Sequence, residues 1–130
     1  MEGSVMKRVL TAVVASMVLT SATAWAKTET IKGQVVDQAC YTKDKVNNKG
    51  IDHKMPADTK DCALACAKQG NRMALLTADG KVFAIYGDLA ANKNAKLVAH
   101  IGHTVEMTGD TMDMSGSLMI TAADLKMVAK

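Results

Sequence analysis

Three cysteines and one histidine carry most of the chemistry this chain can offer, and they fall in one stretch: Cys40, His53, Cys62 and Cys66, a C-x12-H-x8-C-x3-C pattern. On a regular helix Cys62 and Cys66 lie one turn apart on one face, with β-carbons about 5–6 Å apart. A disulfide wants β-carbons about 3.5–4.5 Å apart, so that pair would need a distorted helix to bridge itself. A metal ion asks for less, because sulfurs that are each about 2.3 Å from a shared ion stand several Å from one another. Cys40 and His53 can complete a tetrahedral shell of three thiolates and one imidazole. For such a shell zinc is the default occupant, and copper(I) suits the soft sulfurs. Three cysteines cannot all pair within one chain. A structural disulfide from Cys40 to Cys62 or Cys66 would leave a spare thiol, and thiol redox exchange or pairing with a second chain is the third alternative. Neither C-x-x-C nor C-x-x-C-H is present, which sets aside a thioredoxin-like couple and a c-type haem.

The elements that must position these residues can be read around them. Residues 30–36 alternate and are rich in β-branched side chains, which predicts a strand that bends at Gly33 and delivers Asp37 and Cys40 at its end. Residues 42–55 turn to Lys, Asn, Asp and Gly, which predicts a long loop carrying His53. Pro56-Ala57-Asp58 opens a helix that Asp58 can cap, Ala63 to Ala67 continue it and Gly70 ends it. Its first turns favour a thiolate at Cys62 through the positive helix end. Residues 72–77 and 81–86 flank Asp79-Gly80, a hairpin signal. Residues 88–99, with Asp88 as cap and Gly102 beyond the end, predict a second helix. Residues 103–108 and 117–121 predict two strands around Ser115-Gly116, with a short terminal piece over 125–128. Five short strands with a helix between the third and fourth match the order of an OB-fold-like β-barrel, mainly β, with two short helices and the Cys/His-bearing insert at 40–70. A small α+β sheet is the alternative with the same string.

At its most specific positions the chain also resembles a family of small secreted bacterial proteins. Asp37-Gln38-Ala39-Cys40, the later His53, the run from Cys62-Ala63 through Cys66 to Gly70, and Val105-Glu106-Met107-Thr108-Gly109 are similar to that family's D-x-x-C, H and C-A-x-x-C-x-x-x-G pattern ahead of OB-like strands. The family has no assigned activity. What the resemblance implies is therefore an architecture and a candidate site.

Composition narrows the remaining classes. Lys7 and Arg8, the apolar run 9–20 and Ala24-Trp25-Ala26 have the layout of a cleaved signal peptide over residues 1–26, which places residues 27–130 in the periplasm or outside the cell as a single domain. The apolar run is shorter than the ~20 residues that span a bilayer, so no membrane partner is expected of the mature form. Losing Glu2, Lys7 and Arg8 takes the net charge from +3 to about +2. That charge, without stacking aromatics, does not suit a nucleic acid. No Ser-His-Asp set, carboxylate pair or phosphate loop stands out, so no catalytic residue is assigned and a non-enzymatic role is expected. Met55, Met73, Met107, Met112, Met114, Met119 and Met127 either fill a core poor in aromatics or, at Met112-x-Met114, offer thioethers to copper(I); the core is the favoured role. His100 and His103 are expected near a helix C-terminus rather than on a metal.

Overall fold

The computed structural model describes residues 26–49 and 55–130. Strand β1 (Lys27–Asp37) leads directly into helix α1 (Gln38–Lys43); helix α2 (Ala57–Lys68) follows, then β2 (Met73–Leu76), β3 (Val82–Tyr86), β4 (Thr104–Met114) and β5 (Ser117–Ala129). The strands close into a small barrel in the order β1-β2-β3-β5-β4, with β4 returning to pair with β1. All neighbours are antiparallel except β3 and β5. This is the mainly β, OB-like architecture expected, with the cysteine-bearing helix inserted after the first strand.

Alternation of side chains decides what fills the ring. Val35, Leu75, Phe83, Ile85, Val105, Met107 and Ile120 point inward and form the main core with Leu89, Leu97 and Ile101. Ala63 and Ala67, one turn apart on α2, add to the same core, so α2 covers one opening of the barrel with its small-residue stripe. The last residues of β1 are buried on both faces. Val35 faces the interior, whereas Val36 faces outward into a second cluster with Tyr41 of α1, Ala74 and Leu76. Helix α1 is thereby fixed to the outside of the wall at the point where β1 ends.

Several boundaries differ from expectation. Asp37 ends β1 and begins α1 in one step, because its Oδ1 accepts the Cys40 N–H at 2.8 Å and caps the helix. Cys40 therefore sits on a helix rather than at a bare strand end, and the loop starts later than residue 42. Helix α2 has Pro56 at its N-cap position with no side-chain cap; Asp58 lies in the first turn instead. Gly70 ends that helix as expected, with φ +88 and its N–H on the Ala67 carbonyl at 3.0 Å.

The segment 88–100 is not one helix. It is broken into short turns, with 3-10 pieces at Asp88–Ala90 and Val98–His100, and Asn92, Lys93 and Asn94 take positive φ between them. Gly87, not Asp88, occupies the N-cap position there. The reason is tertiary: the buried Asn94 side chain donates to the carbonyls of Ala67 at 2.9 Å and Asn71 at 2.8 Å, and a continuous helix would forfeit both. Asn tolerates the left-handed region that this requires.

The two final strands run longer than their apolar cores suggest, and the terminal piece is simply the end of β5. A register shift between Met107 and Gly109 bends β4, and Gly109 is needed there because a β-carbon would collide with the Thr121 carbonyl oxygen across the ladder. The Asp79-Gly80 hairpin forms as its signal indicates, with the Thr77 N–H on the Lys81 carbonyl at 2.9 Å.

Candidate metal centre

Cys40, Cys62 and Cys66 come together. Their sulfurs all lie within 4.8 Å of one another, and none is joined to another as a disulfide. Two thiolates on opposite sides of one ion would stand about 4.6 Å apart and closer at a tetrahedral angle. Small rotamer adjustments therefore suffice to bring all three sulfurs onto a common ion. Among the described residues this is the one group of three or more His, Cys, Asp or Glu side chains close enough to do so. His53 lies outside the described residues.

Each ligand's position has a local cause. Cys40 is carried by α1, which is capped at Asp37 and anchored through the neighbouring Tyr41 in the outer cluster. Cys62 and Cys66 occupy the stripe of α2 beside Ala63 and Ala67, so burying the alanines sets the orientation of the cysteines. The far end of α2 is held by Asn94 on the Ala67 carbonyl and by the Asn71 N–H on the Cys66 carbonyl at 3.1 Å. The Gln38 N–H reaches the Arg72 carbonyl at 3.2 Å and ties the start of α1 to the start of β2. The clamp is thus built from two helices whose relative placement is fixed by backbone contacts and by the barrel wall.

The thiols differ in environment. Cys62 is exposed, whereas Cys40 and Cys66 are half-buried. Burial, followed by the neighbouring Asp37 carboxylate with its negative charge, pushes the Cys40 thiol up to about 12. Burial also raises Cys66, opposed in part by a hydrogen bond from Asn71. Both groups therefore keep their protons at neutral pH until a cation displaces them.

Asp37 is a participant that the set of candidate ligands did not include. It is 3 % exposed, it spends Oδ1 on the α1 cap, and its Oδ2 is buried with no hydrogen-bond partner among the described residues. It stands outside the mutually close trio and is not one of the convergent ligand atoms. The sequence signal for its role is the Asp-x-x-Cys spacing itself, which puts a capping carboxylate three residues before a helical thiol. An unpaired buried carboxylate is costly unless positive charge stands nearby, and the thiol trio is where a cation would sit.

Comparison of the chain with protein-family models, with curated proteins and with solved structures finds no match.

The other candidate ligands behave differently. The Nδ1 atoms of His100 and His103 stand 3.3 Å apart with the rings edge to face, at the end of a 3-10 turn just before β4. Met55, Met73 and Met107 are buried, in keeping with the core role. Met112 and Met119 face each other half-exposed across β4 and β5 on the outer surface, and Met114 and Met127 are exposed, so the core role does not extend to these four. No described helix is long and apolar enough to cross a membrane.

These environments set an order of reactivity. In reduced, metal-free protein at pH 8, iodoacetamide modifies Cys62 first and Cys40 last, because the thiolate is the nucleophile and Cys40 is almost wholly protonated there. The Cys40 rate keeps climbing with pH toward about 12, where an unburied thiol would level off near 9. Peptide mapping of the alkylated protein against time checks this; equal rates at the three positions would show that Cys40 is not shielded.

Proposed function

We propose that this chain is a secreted, non-enzymatic metal-binding domain in which Cys40, Cys62, Cys66 and His53 hold one zinc or copper(I) ion. The observation that carries the proposal is the convergence of three thiols from two separate helices, with no disulfide among them and with sulfurs within 4.8 Å. A site that uses every member of an odd cysteine set leaves no oxidisable thiol over, which suits an oxidising compartment. The signal-like segment over residues 1–26 is the basis for secretion. With three sulfurs and an imidazole the shell is full, which favours holding a metal over catalysis at it. His53 precedes α2 by a few residues, and a tetrahedral ion needs one ligand beyond the trio.

Native mass spectrometry of protein purified from its secreted location, before any chelator, is expected to show one ion per chain. All three thiols should resist alkylation until a chelator is added, and His53→Ala should weaken retention. Metal-free protein with one cysteine pair oxidised and one thiol free would instead favour a disulfide-stapled structural or interaction module. The exposure of Cys62 beside two further thiols favours a different second reading, a thiol redox protein, which would show as exchange with glutathione at Cys62.

A further inference from the structure

We propose that Asp37 is a selectivity-determining positioning residue that biases the cysteine site toward a divalent cation over a monovalent one; this rests on the metal-binding reading above. The geometry is a buried carboxylate held against the backbone of Cys40, one member of the thiol trio, without joining the trio. One oxygen of Asp37 is committed to the Cys40 N–H at 2.8 Å, which fixes the carboxylate's position relative to the first ligand. The other oxygen is buried and unpaired among the described residues.

Three thiolates around a monovalent ion carry a net charge of −2, and around a divalent ion −1. Adding the Asp37 charge leaves −3 and −2 respectively, in a half-buried site where neighbouring charges interact more strongly than in water. The attraction between Asp37 and the ion scales with the ion's charge, so a divalent ion gains twice what a monovalent ion gains. Soft sulfur ligands by themselves favour copper(I). Asp37 opposes that preference without touching the metal. Its effect on the thiols does not alter the comparison: displacing the same three thiol protons costs the same whichever ion arrives, and that cost cancels in the ratio of affinities.

The cap allows a clean test. Asp37→Asn removes the charge and keeps an oxygen that can accept the Cys40 N–H, because Asn caps helices about as well as Asp. Asp37→Ser also keeps a capping oxygen, and serves if the Asn variant folds poorly. Affinities for zinc and for copper(I) are measured by competition with chromophoric chelators on wild-type protein and both variants, with circular dichroism and alkylation protection recorded in parallel. The expected result is that the zinc-to-copper(I) affinity ratio falls by about tenfold or more in both variants while the fold is retained. A ratio within about threefold of wild type, with both ions still bound through the thiols, overturns the role of Asp37 and leaves the metal reading standing. If neither ion protects the wild-type thiols from alkylation, the metal reading itself fails and this inference falls with it. A purely structural role for Asp37 would change both affinities by the same factor and leave their ratio alone.

Discussion

Cys66→Ser is expected to lower zinc affinity by about 10²–10³-fold while leaving the barrel folded. Thiolate-rich sites of four ligands are held by about 10–16 kcal/mol in total, so the loss of one sulfur removes roughly a quarter of that. Serine matches the side chain in size but is not deprotonated near neutral pH, and its oxygen is a poor ligand for soft or borderline ions. The substitution does little to packing, because Ala63 and Ala67 rather than Cys66 are the fully buried residues of α2. Cobalt(II) provides the readout: thiolate-to-metal absorption present in wild type and diminished in the variant, with unchanged far-ultraviolet circular dichroism. A variant that binds cobalt and zinc as tightly as wild type would mean that the three sulfurs do not share an ion.

Ile85→Ala is expected to cost about 3–4 kcal/mol of stability. Ile85 is fully buried on β3 and lies opposite Ile120 of β5 in the parallel pair of the ring. Truncation opens a cavity between two ladders that cannot slide together without breaking register, so little of it collapses. A domain of this size has only about 5–15 kcal/mol in hand, and the urea midpoint should fall accordingly with little change in slope. A loss below 1 kcal/mol would show that the barrel interior is loosely packed.

The parts legible in the sequence were those written locally. The Asp79-Gly80 hairpin, the helix through Ala63 and its stop at Gly70 each follow from a few adjacent residues, and each is where the pattern puts it. The convergence of Cys40 with Cys62 and Cys66 was legible too, because odd cysteine count and i, i+4 spacing left few other uses for them. The helix assumed over 88–99 failed because its fate is decided by Asn94, whose partners Ala67 and Asn71 are distant in sequence. Helix α1 was hidden for the opposite reason. Its six residues contain no apolar repeat, and only the Asp37 cap and the packing of Tyr41 on Val36 and Ala74 make it helical. Asp37 itself shows how one residue can serve two levels, ending a strand and setting the charge beside a thiol.

The cysteine clamp also bears on how the chain folds. Strand β1 pairs with β2 through Val36 and Ala74, and the intervening stretch of chain, which carries all three cysteines, must be closed over before that ladder can form. Closing a loop costs entropy that grows with its length. A link from Cys40 to α2, through an ion or a sulfur bridge, cuts that loop short and leaves only the few residues from Gln69 to Arg72 before β2 begins. Pairing of β4 with β1, which spans most of the described chain, gains less from the link, because the same shortcut removes a smaller fraction of a much longer loop. Ligation at the clamp should therefore hasten the first ladder, and ring closure should remain the slow event.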